Sequence, residues 1–296
     1  MNEQELEKWR KAGKVAAQAL DYGRTLIKSG AIIREMCDAV DQKIIDLGAL
    51  PAWPTQVGLN HVAAHETPDP DDNKTFTDEV VCLDVGAHVD GFVGDNACSV
   101  DLSGKYNHLI RATEEALQKA IKTVHVGVTI GEIGKVIQDT IISHGVVPVK
   151  NLSGHGINQW VIHDSPSIPN YESGEQTKLV KGQTIAIEPF ASTGAGMVVE
   201  AERGNLFAVM QPKVVRSPYA RDVLKFVIEE YKSLPFTTRW LTKKFGTAKT
   251  TLALRELLAA NILHVYPPLL DASKGMVTVF EKTLFVGDTV EVLTKL

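Results

Sequence analysis

The stretch from Val80 to Val100, VVCLDVGAHVDGFVGDNACSV, constrains the fold more than any other part of the chain. Two apolar, β-rich runs flank Asp90-Gly91, a pair favoured in two-residue hairpin turns. With that turn, Asp95 lies opposite Gly86, and Asp84 sits two residues further along the facing strand. Residues two apart share a face, so the aspartates become diagonal neighbours, about 7–8 Å apart at Cα. Two carboxylates in an otherwise apolar ribbon repel each other unless a cation lies between them or their face is open to water. The hairpin alone leaves both readings standing.

Three later segments bear on that choice. In Asn151–Ile157 (NLSGHGI), His155 stands between two glycines, which lets its backbone approach a ligand closely, or equally makes it a turn histidine. Thr184–Phe190 (TIAIEPF) puts Glu188 at the end of an apolar strand, and Val277–Leu284 (VTVFEKTL) does the same for Glu281. A buried glutamate is rarely tolerated unless paired or coordinated, though a surface or salt-bridged role is as open for each alone. Four carboxylates and a histidine suit a pair of hard-to-borderline divalent ions. Carboxylates bridge such ions about 3.5–4 Å apart and let them hold a hydroxide for attack on a carbonyl. The absence of an HExxH helix disfavours a zincin arrangement.

The 296 residues, 44% hydrophobic and 23% charged, allow one large domain or a domain with an insert. The net charge of −5 hides an asymmetry. From Gln211 to Asn261 ten Lys or Arg face four Asp or Glu, so this stretch is +6 and the rest −11. It reads as a helix (Arg221–Tyr231), a short apolar turn or short helix with Phe236, Trp240 and Leu241, another helix (Thr250–Asn261) and a strand (Ile262–Tyr266), an order that suggests an inserted helix-turn-helix or winged-helix module. Elsewhere, helices are predicted around Leu6–Leu26, Ile33–Leu47, Ser103–Val124 and Ile130–His144, the last with a Thr129/Glu132 capping box. Strands are predicted at Val146–Val149, Ser153–Ile157, Thr184–Phe190 and Met276–Val286. Cys37, Cys82 and Cys98 form no CxxC pair, so a reduced, intracellular protein is expected. The charged N-terminal stretch and the lack of any apolar run near ~18 residues argue against a signal peptide and a membrane span.

The string Leu83-Asp84-Val85-Gly86-Ala87-His88-Val89-Asp90-Gly91 with Asp95, then Gly154-His155-Gly156, Ile187-Glu188-Pro189-Phe190 and Phe280-Glu281-Lys282-Thr283, resembles methionine aminopeptidases over almost the whole chain. The basic insert resembles that of the type II subfamily, and the short N-terminal region that of archaeal members. The resemblance implies an α/β (α+β) pita-bread fold, a catalytic domain of two pseudo-symmetric halves built from residues 1–204 and 272–296 together, with a winged-helix-like subdomain inserted at about 205–271. It implies two divalent ions, from among Co, Mn, Fe and Zn. Asp84 would chelate one, His155 and Glu188 the other, and Asp95 and Glu281 would bridge both. A metal-bound hydroxide would attack the scissile carbonyl, with Glu188 shuttling a proton.

By the same resemblance, His65, within Asn60–Pro68, is the substrate-side histidine near the leaving amide, with His61 as the competing candidate. His163 bonds the substrate carbonyl or the oxyanion, and Trp53 and Ile162 line the methionine pocket. Two positions depart from the family pattern: Glu66 stands where tyrosine is usual, and Trp53 where phenylalanine is. The function expected is cytoplasmic removal of the N-terminal methionine from nascent proteins, by a monomer that prefers small second residues. The insert and the NLSGHGI segment argue against a relative that cleaves before proline. A non-enzymatic relative binding the ribosome or RNA through the basic insert usually loses metal ligands, and all five are kept here. For the insert itself two readings stay open: a solvated basic face, or a transient, salt-sensitive contact with ribosomal RNA.

Overall fold

Asp90 and Gly91 both take positive φ, 52° and 82°, so the hairpin closes on the two-residue turn that its sequence predicts. Its strands, Val80–Val89 and Phe92–Asp101, set Gly86 opposite Asp95 and Asp84 opposite Ala97. In this computed structural model, which describes residues 2–296, Leu50–Pro51 and Gln56–Leu59 pair with the outer edge of the Val80–Val89 strand. Helices α1 (Glu3–Leu26) and α2 (Ile33–Asp46) cover the ribbon. Ala16, Leu20, Met36, Val40 and Ile44 pack on Val81, Leu83 and Val85 in one apolar cluster. An Asn2/Glu5 capping box starts α1, satisfying backbone N–H groups that its first turn cannot pair internally.

The second half repeats the plan. Helices α3 (Asn107–Thr123) and α4 (Ile130–Ser143) lie on a five-stranded sheet ordered Val290–Val292, Lys282–Val286, Thr184–Ile187, Ser153–Asn158 and Val161–Pro169. Leu109, Ala116, Ile133 and Ile137 meet Ile185 and Leu284 in its core. The predicted capping box at Thr129 and Glu132 forms and starts α4. Two helix pairs, each backed by sheet, give the two-halved α/β arrangement expected.

Two of the predicted strands are broken, and the breaks matter. Thr184–Phe190 is a strand over Thr184–Ile187, a gap at Glu188-Pro189, and a second strand at Phe190–Ser192 in another sheet. Met276–Val286 divides in the same way, into Val277–Val279 and Lys282–Val286, at Phe280-Glu281. Ile187 pairs with Lys282, and Phe190 with Val279, so the two gaps face each other. Pro189 has no N–H to continue a ladder. Each chain leaves one sheet for the next at its glutamate, which aims both carboxylates at the junction.

A third cluster has its own core. The strands Leu206–Val209, Phe236–Thr237 and Leu263–Tyr266 form a three-stranded sheet. It packs with α5 (Pro218–Glu230), α6 (Thr238–Phe245) and α7 (Thr247–Ala259) around Phe207, Val223, Val227, Phe236, Leu241 and Leu257. The short apolar stretch between the two longer helices is a two-residue strand followed by a short helix, in keeping with the order helix, short helix, helix and strand read from the sequence. No helix among the described residues is long and apolar enough to cross a membrane.

Candidate active site

One cavity of about 300 Å³ is lined by Asp84, Asp95, His155, Glu188 and Glu281, and its walls also include Trp53, His65, Ile162 and His163. The competing histidine, His61, lies outside it, in a separate depression with Asn60 and Glu66. Each side chain arrives by a different route: the hairpin brings Asp84 and Asp95, the Ser153–Asn158 strand brings His155, and the two strand breaks bring Glu188 and Glu281. The glycines beside His155 serve packing more than ligand approach. A side chain on Gly154 would run into the Ala186 carbonyl, and one on Gly156 into that of Ser165.

Asp95, His155 and Glu281 are 4%, 7% and 4% exposed, deep enough that their charges must be balanced within the protein. Their ligand atoms all lie within 4.8 Å of one another. His155 Nδ1 is 3.1 Å from the Gly156 carbonyl oxygen. A carbonyl only accepts, so Nδ1 carries the proton and the Nε2 lone pair faces the carboxylates. Nε2 lies 3.5 Å from Glu188 Oε1 and 3.7 Å from Asp95 Oδ2. Burial, with His163 nearby, holds the imidazole neutral, at a pKa of about 3. Acceptors therefore face acceptors.

The carboxyls respond as such crowding requires. Burial pushes Asp84 up to about 7. Burial and then the charge of Asp84 raise Asp95 well above the carboxylate range. Burial, then Asp95 and Asp84, do the same for Glu188, and burial, then Asp95 and Glu188, for Glu281. No Lys or Arg forms an ion pair with any of the four among the described residues. Oxygen-rich ligation with one imidazole, its Nδ1 bonded to a backbone carbonyl, fits divalent metal.

The residues that the family model for metallopeptidase family M24 matches run from 7 to 211. A methionine aminopeptidase of Archaeoglobus fulgidus is 41% identical over 289 residues, 97% of each chain. One of Methanocaldococcus jannaschii is 39% identical over 98% of each. This chain belongs to the methionine aminopeptidases of family M24. Among solved structures, the methionine aminopeptidase of Thermotoga maritima superposes with a TM-score of 0.74 at 26% identity, covering 100% of this chain and 98% of that one. The fold is accordingly the family's pita bread, and the acidic cluster sits in a metallopeptidase chain.

For a methionine aminopeptidase, the residues around the cluster are as informative as the cluster. His65 takes φ +64° and its backbone N–H donates to Gln56 Oε1 at 2.8 Å. Its Nδ1 is buried with no protein partner, and burial lowers its pKa to about 4, leaving a neutral ring free to bond a ligand. His163 packs edge-on against His155, with ring centroids 4.6 Å apart. Tyr266, Ser233 and Pro235 also reach the cavity wall, all from the 206–266 cluster. Sequence reading missed these three. The one hint was position: Tyr266 ends a strand just before Pro267-Pro268. Thr283 steadies Asp95 by accepting its backbone N–H and donating to its carbonyl, both at 2.8 Å.

This crowding predicts a pH-dependent metal effect on stability. A carboxyl whose folded pKa exceeds its unfolded value stabilises the fold below the unfolded value, and that contribution is lost as pH rises through the folded one. For Asp84 the window runs from 3.8 to about 7. The metal-free protein should therefore lose Tm across this window and be less stable at pH 8 than at pH 5. Divalent metal should restore it, by about 2.7 kcal/mol at ~100-fold over Kd, and more at the higher pH. Calorimetry with and without chelator checks this; a metal increment that is equal or smaller at pH 8 would refute it.

Proposed function

We propose that this chain removes the N-terminal methionine from nascent polypeptides in the cytoplasm, as a monomer, using two divalent ions of Co, Mn, Fe or Zn. The observation that carries the reading is a set of four carboxylates and one neutral histidine on an apolar-walled cavity, with Asp95, His155 and Glu281 buried and Asp84 and Glu188 partly so, in a chain aligned nearly end to end with methionine aminopeptidases. In this reading Asp84 would hold one ion, His155 and Glu188 the other, and Asp95 and Glu281 would be available to both. Bound divalent ions supply Lewis acidity, which activates water and polarises a carbonyl. Residues 1–204 and 272–296 form the catalytic domain, and about 205–271 the winged-helix-like insert.

The protein's own side chains do the rest. Trp53, Trp160, Ile162 and Phe190 offer an apolar and aromatic wall to a thioether, which gains from sulfur–aromatic contact. The carboxylates attract the substrate's α-ammonium. His163 donates a hydrogen bond to the scissile carbonyl as charge develops on its oxygen, and His65 orients the amide on the leaving side. Glu188 carries the proton from water to the departing amine.

The direct test is methionine release from Met-Ala-Ser, against peptides with proline next to the scissile bond, after chelation and metal readdition. Release that never depends on metal, or cleavage only before proline, overturns the proposal. His163→Ala should lower kcat by about 10²–10³-fold, as loss of an oxyanion donor does, and leave metal affinity near wild type. Kinetics paired with metal titration separate this from damage to the metal site, which moves both.

A further inference from the structure

We propose that Trp53 is a positioning residue for Asp84, its indole N–H holding one carboxylate oxygen so that the other is presented to the cavity. This inference rests on the metal reading of Asp84. Trp53 Nε1 lies 3.0 Å from Asp84 Oδ1, and this is the one hydrogen bond to the Asp84 carboxylate among the described residues. An indole N–H can only donate, so the bond favours the ionised carboxylate and has the strength of a charge-assisted contact.

The indole itself is clamped. Trp53 is 4% exposed, and its ring lies over Gly86, where any Cβ would overlap it. Gly86 stands two residues from Asp84 on the same strand, so the position that admits the ring also sets its distance from the carboxylate. On one side, Ala52 N–H donates to the Gly86 carbonyl at 2.9 Å. On the other, Thr55 N–H donates to Asp41 Oδ1 at 3.0 Å. The segment is thus tied to the ligand's own strand and to α2. A phenylalanine could fill the same wall, but it has no N–H to offer. Trp53 therefore both walls the cavity and orients the ligand.

The test compares Trp53→Phe with wild type by calorimetric titration of metal-free protein with manganese(II). Wild type should bind, and Trp53→Phe should bind about 10–100-fold more weakly, as when a hydrogen-bond partner of a metal ligand is lost. The kinetic signature is a fall in kcat that excess manganese reverses; a role confined to packing would raise KM at every metal concentration. In ¹⁵N-indole spectra, the resonance missing from Trp53→Phe should shift when wild type is titrated with diamagnetic zinc(II), while that of Trp240 stays. Should Trp53→Phe not fold, benzothienylalanine at position 53, which keeps the shape and lacks the N–H, takes its place. Equal manganese affinity in wild type and variant overturns the positioning role alone. Failure of wild type to bind manganese overturns the metal reading and this inference with it.

Discussion

Asp95→Asn is expected to lower kcat/KM on Met-Ala-Ser by at least about 10³-fold, well beyond the ~10–100-fold typical of losing an outer-sphere partner of a metal ligand. Asparagine keeps the shape of the side chain but offers one acceptor oxygen where aspartate offers two, and it carries no charge. It cannot bridge two cations as a carboxylate does. The same substitution should raise the Tm of the metal-free protein. Asp95 is 4% exposed, and its charge is among the causes that raise Glu188 and Glu281; removing that charge relieves the repulsion. Activity and metal-free stability should therefore move in opposite directions. Rates measured with metal, and melting curves measured after chelation, test both halves. Asp95→Asn with wild-type turnover would remove Asp95 from the mechanism. Lost activity with a lowered metal-free Tm would point to a folding defect instead.

The hairpin was the most legible part of the sequence because its period and its turn agree. Alternating residues and Asp90-Gly91 place Asp95 across from Gly86, and that is the observed register. The glutamates were legible as buried acids but not in their geometry. Thr184–Phe190 and Met276–Val286 each look like one apolar strand, and only tertiary pairing reveals that both switch sheets at Glu188 and Glu281. Trp53 was visible as an outlier against its family, but its bond to Asp84 joins residues 31 apart in sequence and no local pattern encodes it. The basic insert was the least legible. Its +6 charge suggested a solvated or RNA-facing surface; most of these basic side chains are exposed, Lys243 at 60% among them, but Arg239 is 1% exposed and held by Asp38 and Asp41. A count of charges does not say which of them face inward.

Arg239 is where the second large effect is expected: Arg239→Ala should cost about 3–5 kcal/mol of stability, the range for breaking a buried ion pair from one side. The guanidinium bonds Asp38, Asp41 Oδ2 at 3.1 Å and Thr67 Oγ1 at 3.3 Å. Trp240 Nε1 donates to the same Asp41 oxygen at 2.8 Å. The other Asp41 oxygen accepts the backbone N–H and, at 2.7 Å, the hydroxyl of Thr55. Asp41 is only 6% exposed, so removing Arg239 strands a buried carboxylate whose remaining donors are neutral. This network joins α6 to α2, and through Thr55 it reaches the segment that carries Trp53. Asp38→Ala leaves Arg239 paired with Asp41 and strands only Lys243, which is 60% exposed, so it should cost clearly less than Arg239→Ala. Arg239→Ala combined with Asp41→Asn should recover part of the loss, since the stranded charge is then gone. Urea unfolding of the single and double variants, followed by tryptophan fluorescence, measures these differences. A cost below about 1 kcal/mol for Arg239→Ala would mean that the pair behaves like an exposed one. The cluster around Arg239 would then not be what fixes the 206–266 region to the catalytic half.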